Sequence, residues 1–209
     1  MQKNLAQVLE QAGVVPVLVI DQVADALPLA QALVEGGLNV LEVTLRTEAA
    51  LGAVEEIAKH LPDAHVGTGT VLTADDVRRS TDAGATFMVS PGTTDALLDA
   101  VEAGSVPMLP GAANPSEVMR LLERGYSYQK FFPAEAAGGV PMLKSIGGPL
   151  GQVKFCPTGG VSPGNAQDYL ALKNVVCVGG SWMASPKLVA EKNWAEITRL
   201  AKEASALKG

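Results

Sequence analysis

The sequence predicts an α/β fold: one (β/α)8 TIM barrel spanning residues 1–209 as a single domain, with an extra N-terminal helix. Three observations predict it. Short Val/Ile-rich runs alternate with amphipathic Ala/Leu-rich stretches. Eight such units follow one another with no linker, low-complexity stretch or second domain. Gly, Pro, Ser and Thr gather directly after each apolar run. Strands this short and uniformly apolar belong to a parallel sheet covered on both faces. Eight βα units in a row favour a closed barrel over an open sheet. The chain's 209 residues suffice for one sizeable core, at the short end of the range for this fold.

Taken in order, the residues before 14 form a polar helix start that can close the barrel's bottom. Strand one covers 14–20, with helix over 23–35. Strand two covers 38–45, with helix over 48–59. Strand three covers 65–68, and helix follows Thr73. The remaining strands are 86–89, 106–109, 128–132, 153–156 and 175–178, each followed by a helical stretch, the last from 194 to 207. Thr73, Asn114 and Ser162 are expected N-caps, with Pro115 and Pro163 at first helical positions. The loops after the strands are rich in backbone donors and poor in bulk, as suits a small polar ligand. In this architecture that end carries the chemistry.

The chain is 47% hydrophobic, 18% charged and 4% aromatic, which excludes a disordered chain. Its net charge is −6, with no Lys/Arg cluster or basic stripe, so no nucleic-acid partner is expected. A local pocket can still be positive, so an anionic small molecule remains admissible. The N-terminus does not read as a signal peptide and no apolar run is long enough to span a bilayer. No membrane partner is expected, and the expected location is cytoplasmic. Cys156 and Cys177 read as small buried side chains in a reducing compartment. His60 and His65 lack ligand partners at useful spacing, so neither a metal site nor a cofactor is expected.

Most charged residues fall on helices, where solvated faces explain them. Four fall on or just beyond strands: Glu42, Arg46, Lys130 and Lys154. Side chains alternate across a strand, so Val40, Glu42, Thr44 and Arg46 share one face while Leu41, Val43 and Leu45 share the other. The apolar set should meet the helices, which turns Glu42 into the barrel near its active end. A structural ion pair is the alternative. Tyr128, Lys130 and Phe132 likewise share a face. A lysine among aromatic residues in a barrel is expected to have a lowered pKa, and only a neutral amine attacks a carbonyl. The alternative is a lysine snorkelling from a strand end. Lys154 lies early in its strand, towards the inert end, and reads as structural.

The turns Thr158-Gly159-Gly160-Val161-Ser162-Pro163 and Gly179-Gly180-Ser181 follow the last two strands. Glycines let backbone N–H groups approach an anion, and the loops after strands seven and eight are a common phosphate site of this fold. Tight turns demanded by geometry are the alternative.

With these residues in place, the sequence resembles the 2-keto-3-deoxy-6-phosphogluconate (KDPG) and 4-hydroxy-2-oxoglutarate (KHG) aldolase family over nearly its whole length. The stretches that carry the resemblance are GLNVLEVTLR (37–46), GTGTV (67–71), KFFPAE (130–135), FCPTGG (155–160) and GGSW (179–182). The resemblance implies a class I aldolase with Lys130 as Schiff-base lysine and Glu42 as general acid/base. It implies that Arg46 and Thr70 clamp the pyruvate carboxylate, a natural role for a planar guanidinium. Thr158 would contact a substrate hydroxyl, and Gly159, Gly160, Gly179, Gly180 and Ser181 would cradle phosphate. Pro91 and Phe132 are expected to line the substrate site. It also implies a homotrimer and a phosphorylated 2-keto-3-deoxy sugar acid, with pyruvate as product. Gln129 departs from the family's usual apolar residue, and Ala112-Ala113-Asn114 stand where relatives often carry hydroxyls. The rival readings are an aldolase for the galactonate epimer or an unphosphorylated keto-acid, a phosphosugar isomerase or synthase, and a non-catalytic sugar-phosphate binding barrel.

Overall fold

From Val14 onward strand and helix alternate in the computed structural model, which describes residues 2–208. Helix α1 (Lys3–Gln11) comes first. Then follow β1 (Val14–Leu18), α2 (Val23–Glu35), β2 (Val40–Thr44), α3 (Ala50–His60), β3 (His65–Gly69), α4 (Ala74–Asp82), β4 (Phe87–Val89) and α5 (Asp95–Glu102). The next strand comes in two pieces, β5 (Met108–Leu109) and β6 (Gly111–Ala112), because Pro110 has no N–H to offer the ladder. After them come α6 (Pro115–Glu123), β7 (Tyr128–Phe131), α7 (Gly139–Gly147), β8 (Lys154–Pro157), α8 (Ala166–Leu170) and β9 (Val178–Gly180). A 3₁₀ turn (Trp182–Ala184), α9 (Pro186–Ala190) and α10 (Trp194–Ser205) end the described chain. No helix among the described residues is long and apolar enough to cross a membrane.

Every strand pair is parallel. One sheet runs β5-β4-β3-β2-β1-β9 and another β6-β7-β8. Single bridges, Phe155 to Val175 and Thr158 to Gly179, join the second sheet to the β9 side of the first. The strands therefore form a curled parallel sheet with helices outside it.

Alternation along the strands separates two cores. Leu41 and Val43 of β2 face outward in the same apolar core as Leu29 and Leu33 of α2 and Ile57 of α3, and Phe131 of β7 faces outward beside Phe155. Val15, Val40, Phe87, Val89, Leu109, Cys156 and Cys177 face inward and pack on Leu5 and Leu9 of α1. Burying a leucine completely is worth about 1.5–3 kcal/mol, so α1 is a plug and not an appendage. The Gln2 side-chain amide ties it down, donating to the carbonyls of Met108 and Tyr128 and accepting from the Tyr128 N–H. The two cysteines are free, buried neighbours. The Cys156 sulfur and burial push the Cys177 thiol well up.

Thr73 caps α4 in a reciprocal box with Asp76, and Asn114 caps α6 with Pro115 at its start. Three expectations need correction. Ser162 does not cap a helix: α8 begins at Ala166, and the Asn165 side chain instead accepts from the Ser162 N–H and donates to the Gly160 carbonyl. The last strand is Val178–Gly180, not 175–178. Gly179 and Gly180 thus lie in the ladder, opposite Val15 and Pro16 of β1, and not in a loop beyond it.

Candidate active site

β2 and β7 lie on opposite sides of the curl. With β5 and β6 counted as one strand and the bridges included, three strands separate them in either direction. Their inward side chains nevertheless meet. Lys130 Nζ lies 3.4 Å from Glu42 Oε1, with the two side chains 5% and 4% exposed. The register explains the height of this contact. Glu42 pairs with Gly67 of β3, and Lys130 pairs with Gly111 and Cys156. Each is two residues further along its strand than the apolar Val40 or the half-buried Tyr128.

Neighbouring groups hold the pair. A Cβ on Gly69 would lie 2.7 Å from Glu42 Cγ, so only glycine at the end of β3 leaves room for the carboxylate. Sequence reasoning missed this requirement, because it depends on the spacing of neighbouring strands. The Phe132 ring centroid lies 5.1 Å from Lys130 Nζ, within reach of a cation–π contact when the amine is protonated. Thr44, also facing inward, donates its hydroxyl to the Leu18 carbonyl and so adds no free polar group.

Around this pair the strand ends bring polar groups together. Arg46 Nε donates to Thr70 Oγ1 at 3.2 Å. The guanidinium is exposed, and Thr70 sits in the left-handed region with φ 59°. A β-branched residue rarely adopts that conformation. Pro91 lies against Gly111, where a Cβ would overlap its carbonyl. Thr158, buried, continues β8 and pairs with Gly179, whose missing side chain leaves it space. Gly159 and Gly160 follow with φ 99° and 79°, a conformation that favours glycine. Ser181 is exposed just beyond β9, and the plane of Trp182 occupies the space a Cβ on Gly180 would need. Packing is thus a sufficient reason for glycine at 179 and 180, whatever else their N–H groups do.

Lys154 is placed elsewhere. It donates to the Lys173 carbonyl at 2.9 Å and borders a concavity of about 600 Å³ at the opposite ends of the strands, together with Lys144 and Lys173. This large hollow is remote from the Lys130–Glu42 pair. Gln129 faces the outer layer, where its amide donates to the carbonyls of Val118 and Tyr126. His60 contacts Glu56, and no group of His, Cys, Asp and Glu among the described residues is arranged to hold a metal.

The chain as a whole has counterparts among known proteins. The chain is 53% identical to the 2-dehydro-3-deoxy-phosphogluconate aldolase of Pseudoalteromonas atlantica, over 95% of this chain and 93% of that protein. It is 50% identical to the KHG/KDPG aldolase of Escherichia coli strain K12, over 94% and 92%. Among solved structures it superposes, with a TM-score of 0.93 and 49% identity over 95% of this chain and 96% of the other, on the Legionella pneumophila KDPG aldolase with pyruvate captured at low pH as a covalent carbinolamine intermediate. Residues 5–200 match the family described as KDPG and KHG aldolase, and the chain belongs to that family.

Proposed function

We propose that this protein is a class I aldolase that cleaves 2-keto-3-deoxy-6-phosphogluconate reversibly to pyruvate and glyceraldehyde 3-phosphate, and also 4-hydroxy-2-oxoglutarate to pyruvate and glyoxylate. The observation that carries the reading is the buried contact between Lys130 Nζ and Glu42. The relatives named above support the reaction class.

In the cleavage direction the unprotonated Lys130 amine attacks the C2 ketone. Loss of water from the carbinolamine leaves a protonated imine. Glu42 takes the proton from the C4 hydroxyl as the C3–C4 bond breaks and the aldehyde departs. The bonding electrons move into the imine, giving an enamine. Protonation at C3 and hydrolysis then release pyruvate and restore the amine. Arg46 and Thr70 hold the carboxylate, Pro91 and Phe132 line the substrate, and Thr158 meets a hydroxyl. Gly159, Gly160, Gly179, Gly180 and Ser181 receive the phosphate through backbone and hydroxyl donors. Anchoring both ends fixes the scissile bond over the lysine.

The wider reading is a single-domain (β/α)8 barrel with α1 as an extra N-terminal helix, assembled as a homotrimer in the cytoplasm. The bridges between β8 and β9 and the contact across β2 and β7 support closure; the family resemblance supports the trimer, which sedimentation analysis tests.

The decisive experiment is borohydride reduction in the presence of pyruvate, followed by peptide mass spectrometry. One reduced pyruvyl group is expected on Lys130, and none in Lys130→Ala. An adduct on another lysine would reassign the nucleophile. Ligand binding without any adduct would favour a non-catalytic sugar-phosphate barrel. Parallel cleavage assays on the gluconate and galactonate epimers and on unphosphorylated keto-acids fix the substrate.

A further inference from the structure

The segment after β7 does more than leave the barrel. Ala134 N–H donates to the Thr158 carbonyl at 2.8 Å and Glu135 N–H to the Gly159 carbonyl at 3.1 Å. These bonds strap residues 134–135 along the turn that carries Gly159 and Gly160. The strap is itself pinned, because Gly138 and Gly139 N–H groups return to the Glu135 and Ala134 carbonyls. The Glu135 stem then fills the place a side chain at residue 160 would take: a Cβ on Gly160 would lie 2.5 Å from Glu135 Cγ and 2.7 Å from its Cβ. The Tyr169 hydroxyl of α8 donates to the Glu135 carboxylate, and Tyr169 itself is fully buried. The Asn165 side chain also donates to the Gly160 carbonyl. The turn is therefore gripped from two elements, by Glu135 and by Asn165.

We propose that Glu135, held by Tyr169, is a positioning residue that sets the Gly159–Gly160 backbone for the phosphate end of the substrate. This rests on the reading of that turn as part of the phosphate site. Direct contact is not the role, since a carboxylate beside a phosphate would repel it. The stem shapes the turn, and the carboxylate serves as the acceptor that keeps the stem in place. Burial and the Glu135 contact hold the Tyr169 hydroxyl protonated well beyond neutral pH, so the donor persists across the working range.

Two readouts separate positioning from general damage. One is KM and kcat for cleavage of the phosphorylated keto-acid. The other is the rate of borohydride-trapped adduct formation from pyruvate, which carries no phosphate. Glu135→Ala and Tyr169→Phe are expected to raise KM about tenfold, the worth of one charge-assisted hydrogen bond, with kcat and the pyruvate adduct rate within about twofold. Glu135→Gln still accepts the Tyr169 hydroxyl and should rescue KM to within about twofold of the parent. Gly160→Ala serves as the control for the turn and is expected to raise the same KM at least as much. If Gly160→Ala raises KM while Glu135→Ala and Tyr169→Phe do not, the positioning role is wrong and the phosphate reading stands. If the Glu135 and Tyr169 variants slow the pyruvate reaction as much as the phosphorylated one, their role is structural and the inference fails. If Gly160→Ala leaves KM unchanged, the turn is not a phosphate site and the inference falls with it.

Discussion

The interior of the curl holds an apolar layer and a polar one, and on β2, β7 and β8 they lie two residues apart. In the lower layer Val40, Phe87, Leu109 and Cys156 pack on Leu5 and Leu9 of α1 with no charged member. Two residues further, β2 offers Glu42, β7 offers Lys130, and the end of β8 offers Thr158, all buried. Alternation returns the chain to the same face every second residue, so the change from apolar filler to buried polar group needs no change of backbone. The lower layer supplies stability, and in the proposed mechanism the upper layer spends its burial on chemistry. A buried charge pair is poor evidence for stability in itself, and that is the sharpest contrast between the two.

Substitutions can break this division of labour. The largest effect is expected for Glu42→Gln: turnover should fall by roughly 10²–10⁴ while pyruvate trapping on Lys130 partly survives. Steady-state cleavage assays check this, and undiminished turnover would remove Glu42 from the reaction. Next, Lys130→Met leaves Glu42 buried without a partner and should lower unfolding free energy by about 3 kcal/mol; adding Glu42→Leu should recover most of it without restoring activity. Urea melts of the three variants read that out, and no recovery in the double variant would mean that the pair is not the source of the loss. In the lower layer, Leu9→Ala should cost about 2–5 kcal/mol of stability while kcat stays within about twofold. A collapse in kcat at unchanged stability would show that the layers are not independent. Smallest, Thr73→Ala removes the cap of α4, outside both layers, and should cost about 1 kcal/mol with the pyruvate adduct untouched.

Much of this organisation was legible in the sequence where alternation had bulk to work with. Leu41 and Val43 against Val40 and Glu42 determined which face of β2 turned inward, and the structure places them so. Tyr128-Gln129-Lys130-Phe131 read the same way, down to Gln129 facing away from the lysine. Reading failed where glycine and proline carry no side-chain signal. Gly179 and Gly180 looked like a turn because nothing alternates there, yet their backbone completes the ladder to β1. The fifth strand was read as ending at 109, before Pro110, yet Gly111 and Ala112 resume it and pair with β7. Ser162 has the chemistry of a cap, but Asn165 three residues on takes up its N–H and delays the regular helix. The room that Gly69 leaves for Glu42 is a distance between strands, which no local pattern records.

The seclusion of Cys156 and Cys177 gives the molecule a built-in reporter. Residue 177 is fully buried and its neighbour nearly so, so a thiol-specific reagent can reach them only when the chain opens. The labelling rate of this pair in mild denaturant therefore counts rare openings of the interior, and does so with no introduced probe.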